Sequence, residues 1–123
     1  MKELLQEIYT KFNSPNMNLY LNEAPANIDM PYCVFFLITH NVNELTFEDN
    51  INNYTIQFSI FADSATKALD LSEEIFDLYE SCILPVTATK FVSMNLESSN
   101  LFKDNNTWHR VMDFYIETTT HKN

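Results

Sequence analysis

The sequence predicts an α+β fold: a four-stranded antiparallel sheet carrying two helices on one face, in the order α-β-β-α-β-β. Three observations lead there. Two segments repeat their apolar residues at spacings of three and four, the stripe of an amphipathic helix. Four segments are extended runs of alternating or continuous apolar residues, which mark strands. The strand-like segments come in sequence-adjacent pairs, so antiparallel pairing is the default, and two helices cover only one face of the resulting sheet.

The first helix is read over residues 2–13, KELLQEIYTKFN, where Leu4, Leu5, Ile8 and Phe12 share a face and Ser14-Pro15 brings the stop. Residues 14–30 read as loop, with room for one short edge strand at Leu19-Tyr20-Leu21. Pro31, which favours an extended residue before it, opens the first main strand, PYCVFFLITH. That strand does not alternate. Cys33, Phe35 and Leu37 point one way and Tyr32, Val34, Phe36 and Ile38 the other, so both faces need a cover.

A polar connection, HNVNELTFEDN, leads to INNYTIQFSIFA, where Tyr54, Ile56, Phe58 and Ile60 alternate with Thr55, Gln57 and Ser59. This is a half-buried strand. Asp63 and Ser64 then offer N-cap oxygens to a helix carrying Ala68, Leu71, Ile75, Leu78 and Tyr79, flanked by Leu69, Phe76 and Cys82. Asp70, Glu73, Glu74, Asp77 and Glu80 occupy its solvated side, and Pro85 closes it. Two strands, 87–97 and 107–118, complete the order, joined by the polar hairpin SSNLFKDNN.

At 123 residues the chain is one domain, residues 1–123, large enough for a real core. Its 46% apolar and 14% aromatic content excludes a disordered tail, and no apolar run reaches the roughly 18 residues of a membrane helix. The opening residues show no signal-peptide pattern, so an intracellular protein without membrane association is expected. Cys33 and Cys82 then read as inert small hydrophobes. The Asn53-Tyr54-Thr55 and Asn105-Asn106-Thr107 acceptor patterns carry no weight in such a compartment.

A net charge of −10 repels phosphate backbones, so no specific nucleic-acid binding is expected. The absence of glycine removes P-loops, dinucleotide loops and nucleophile elbows together. His40, His109 and His121 share no metal-ligand spacing with either cysteine. His109 and Asp113 fall on one strand face but, at about 3.3 Å per residue, lie more than about 10 Å apart along it, too far for an acid/base pair. Trp108 reads as a core or interface aromatic. No catalytic residue, metal or cofactor is expected.

The N-terminal amphipathic helix, Pro31-Tyr32 opening an apolar strand, INNYTIQFSIFADS, the helix beginning ALDLSEEI at Ala68, and the closing WHRVMDFYIET together resemble the phage tail terminator, or tail completion, family of siphophages and prophages. The resemblance spans nearly the whole chain and rests on packing patterns. It implies a non-enzymatic virion protein: a ring, typically hexameric, that caps the tail tube and joins it to the head-side connector. Its partners would be further copies of itself, the tube protein and the connector protein, with DNA passing through the ring. Assembly in the host cytoplasm and residence in the virion tail follow. On this reading Tyr32, Val34, Phe36 and Ile38 form the subunit interface, and the loop bearing Glu44, Glu48 and Asp49 faces the lumen or connector. Two other classes fit the composition: an acidic DNA mimic or anti-defence protein, and a small α+β ligand-binding protein or enzyme.

Overall fold

The computed structural model describes residues 2–44, 49–86 and 89–121. Along the chain these form α1 (Lys2–Lys11), β1 (Asn18–Leu21), β2 (Tyr32–Glu44), β3 (Asp49–Ala62), α2 (Ala65–Tyr79), β4 (Thr89–Asp104) and β5 (Thr107–His121). The fold is α+β, as expected, but its single open sheet has five strands rather than four among the described residues, in the spatial order β1-β2-β3-β5-β4. The added strand is the short patch before the first apolar strand. Leu19 is buried in the core, and the 22–31 loop returns the chain to the same end of the sheet, so β1 lies parallel to β2 against Tyr32–Phe35. Every other pairing is antiparallel.

Both helices pack on one face. Leu4 and Ile8 of α1 and Leu71, Ile75 and Tyr79 of α2 join one cluster with the inward residues of the sheet. Phe58 stands at its centre, with ring centroids 5.7 Å from Phe35, 4.8 Å from Tyr79 and 5.6 Å from Phe114. The Tyr79 hydroxyl donates to the Ile8 carbonyl at 2.6 Å, locking the two helices together. Burial raises that phenol well above its ordinary range, so it remains a neutral donor. Burial raises the Cys33 thiol likewise, and both cysteines are free, which agrees with inert packing residues.

Ser64 caps α2, its hydroxyl accepting from the Lys67 backbone N–H at 3.2 Å, while Asp63 pairs instead with the Lys67 ammonium at 3.4 Å. The helix ends at Tyr79, earlier than Pro85 implies. Glu80 turns to an extended backbone, Ser81 adopts φ 57°, and the Glu80 carboxylate accepts from the Leu96 backbone N–H at 3.1 Å. Leu69 and Phe76, expected at the margin of the apolar face, are 40% and 39% exposed.

The segment SSNLFKDNN is also mostly strand rather than loop. β4 runs to Asp104 and a two-residue turn, Asn105-Asn106, leads into β5, with Asn105 at φ 56°. A positive φ at the first central position is what tight hairpins require to match strand twist. Asn22 and Asn27 take positive φ in the long loop. In a chain without glycine, asparagine fills three of the four positive-φ positions among the described residues, Ser81 being the other, because its short polar side chain tolerates them well.

Candidate assembly surface

The helices leave one face of the sheet without a second layer, and its residues follow from strand register. Partners across β3, β5 and β4 on that face are Phe61, His109 and Phe102 in one row, Ser59, Val111 and Asn100 in the next, then Gln57, Asp113 and Ser98. Tyr32 of β2 is directly opposite Phe61, and Tyr20 of β1 lies diagonally beyond it. The first row is therefore aromatic across the whole sheet. Successive ring centroids are 6.4 Å from Tyr20 to Tyr32, 4.9 Å from Tyr32 to Phe61, 4.2 Å from Phe61 to His109 and 4.6 Å from His109 to Phe102. Cross-strand aromatic pairs at these separations stabilise the sheet they lie on.

His109 sits inside this row, stacked on Phe61 and edge-on to Phe102, with a buried Nε2 that has no hydrogen-bond partner. Desolvation lowers its pKa from the ordinary 6.5, against an opposing pull from Asp104. Asp113 is engaged elsewhere: its carboxylate accepts from Gln57 Nε2 at 2.8 Å and from the Ser98 hydroxyl at 3.3 Å. The two side chains thus engage different partners. Trp108 lies on the helix side of the sheet, with the Lys103 ammonium 5.7 Å from its ring centroid.

Four residues were expected to form an interface. Tyr32 belongs to the aromatic row and Phe36 is half-buried on the same helix-free face. Val34 departs from expectation: at 8% exposure it is already covered within its own chain, opposite Tyr20 on β1 and Ser59 on β3. Ile38 falls at the bulge between Leu37 and Thr39 and is 45% exposed. The bulge shifts the alternation, so His40 turns to the helix side, stacked on Tyr54 at 4.4 Å and hydrogen-bonded to Asn52 at 3.2 Å. Of the expected lumen residues, Glu44 closes β2, Asp49 opens β3, and Glu48 lies outside the described residues. The two expected sites therefore occupy opposite ends of one hairpin.

Away from the aromatic row the helix-free face becomes polar and acidic. Asp113, Tyr115 and Glu117 follow one another along β5, and the Tyr115 phenol is raised first by desolvation, then by the Glu117 and Glu97 carboxylates. Among the residues whose side chains the structure describes, this face carries no lysine or arginine. The cations whose side chains the structure describes are elsewhere: Lys2 and Lys11 on α1, Lys67 on α2, and Lys103 and Arg110 on the helix side. No group of three or more metal-ligand side chains gathers among the described residues.

Tyr20, Phe61 and Phe102 complete the row and were not expected there. Phe61 carried a signal, as an apolar residue in register with Thr55, Gln57 and Ser59 on the polar side of its strand. The acidic side of α2 is also less uniformly solvated than its pattern implies. Glu74 accepts from the Ser14 hydroxyl at 2.8 Å and from Asn16 Nδ2 at 3.3 Å, anchoring the α1–β1 loop.

The sequence matches no family model and no curated protein. In three dimensions it is similar to a chain of the virion of a native gene transfer agent particle, with a TM-score of 0.73 over 94% of each chain and 10% sequence identity. The likeness establishes a shared fold from end to end.

Proposed function

We propose that this chain is a structural protein of a phage or prophage virion, a ring-forming tail terminator that caps the tail tube and joins it to the head connector. The observation that carries the reading is the end-to-end fold likeness to a gene transfer agent virion chain, 94% of either chain being covered. The helix-free face supports it in two ways. Its aromatic end offers contact surface of the kind enriched at protein interfaces. Its acidic remainder, without lysine or arginine among the described side chains, suits a wall past which DNA slides without adhering. Tyr32, Phe36 and Ile38 contribute to contacts between copies. The end of the β2–β3 hairpin, marked by Glu44, Glu48 and Asp49, faces the lumen or the connector. The tube and connector proteins are the further partners, and the chain acts without catalysis, assembling in the host cytoplasm into the virion tail.

A DNA mimic would need carboxylates free along one elongated face. Glu74 of α2 and Glu80 just past its end instead hold a loop and a strand. The test is genetic: deletion of the gene from its phage or prophage leaves heads and tail tubes unjoined in micrographs, and supply of the protein in trans restores joined particles. Complete, infectious virions formed without it would contradict the reading.

A further inference from the structure

We infer that copies of this chain join edge to edge, β4 of one copy against the β1 side of the next, so that the sheet continues around the ring. The inference rests on the ring reading above and specifies its seam. The spatial order β1-β2-β3-β5-β4 leaves two different edges on opposite sides of one open sheet. β1 pairs only with Tyr32–Phe35, so beyond Phe35 the edge on that side is β2 itself. The strand directions set by the pairings make β4 antiparallel to both β1 and β2, and one edge therefore meets the other of an identical copy in ordinary antiparallel polarity. Contact between two different surfaces of one chain is heterologous, the kind that closes into rings.

Charge and side chains select the same partner. Exposed edges are normally guarded by charges or proline. Here β1, NLYL, and the 98–102 stretch of β4, SSNLF, have neither, in a chain of net charge −10. Two copies can approach along these stretches without setting carboxylates against each other. The aromatic row reaches both edges on the same face, ending in Tyr20 on β1 and in Phe102 on β4, which is 46% exposed. Edge pairing brings the Phe102 ring of one copy beside the Tyr20 and Tyr32 end of the next, and the row becomes a belt. A hexamer of five-stranded sheets, at about 4.8 Å per strand, would close a wall roughly 140 Å around and roughly 45 Å across before strand tilt. That leaves room for duplex DNA beside the helix-free face.

The test places the photoreactive residue p-benzoylphenylalanine at position 102 in the full chain, with isotopically labelled and unlabelled copies mixed so that crosslinks between copies are identified by mass. The inference predicts intermolecular crosslinks to residues 18–21 or 32–40 in the oligomer. It also predicts that Phe102→Glu yields a folded monomer whose circular-dichroism spectrum is unchanged from the wild type. An oligomer whose crosslinks fall on α1 or α2, or that survives Phe102→Glu intact, overturns the seam and leaves the ring standing. A wild-type chain that is monomeric at every concentration overturns both.

Discussion

His109 shows how one side chain ties packing to solution conditions. Its folded pKa lies below 6.5, so the unfolded chain binds a proton more readily. Stability contributed by the neutral imidazole is present above pH 6.5 and is lost as pH falls below it. Lowering the pH from 7.5 to about 5.5 should therefore depress the melting temperature more in the wild type than in His109→Phe, which keeps an aromatic ring in the row. Equal depression in the two would show that His109 does not carry the effect. Asn105 illustrates the cost of lacking glycine. Its φ of 56° is tolerated by asparagine but disfavoured for residues with an ordinary Cβ. Asn105→Ala should cost about 1 kcal/mol in denaturant unfolding, and Asn105→Gly should be close to neutral.

Among the elements, α2 was the most legible, because its stripe and its Ser64 cap are both local signals. Its end was not legible: the backbone turns extended at Glu80, whose carboxylate accepts from the Leu96 N–H, a partner sixteen residues away in sequence. β1 was visible only as a patch, since four residues carry too little periodicity to distinguish strand from loop, and a parallel partner leaves no hairpin signal. The 98–104 part of β4 was hidden for a related reason: on an edge strand, polar residues such as Ser98 and Asn100 read as loop. The helices cover one face of the opening apolar strand. The aromatic row on its other face depends on register across strands, which the sequence does not display. The helical contribution to the core is directly measurable. Ile75 has no exposed surface, so Ile75→Ala should lower unfolding free energy by about 2 to 5 kcal/mol. A loss under about 1 kcal/mol would show that α2 does not seal the sheet.

At the scale of the whole molecule, a net charge of −10 takes on meaning through its placement. The helix-free face carries carboxylates without described cations, whereas α1, α2 and the helix side of the sheet hold the lysines and arginine that the structure describes. If that face lines a DNA channel, reversing one of its charges should make the channel adhesive. Glu117→Lys is expected to leave assembly unchanged while the oligomer is retained on immobilised duplex DNA at low salt and released as salt rises, because phosphate contacts release counterions. Unaltered passage of the variant would place the face away from DNA.

The claim on which the functional account depends is that this fold works as a closed assembly of its own copies. Size-exclusion chromatography with light scattering, over a wide range of protein concentration, measures that directly. The account predicts one discrete species with the mass of about six chains of 14.4 kDa each, formed without any other protein. A species of 14.4 kDa at every concentration would contradict it.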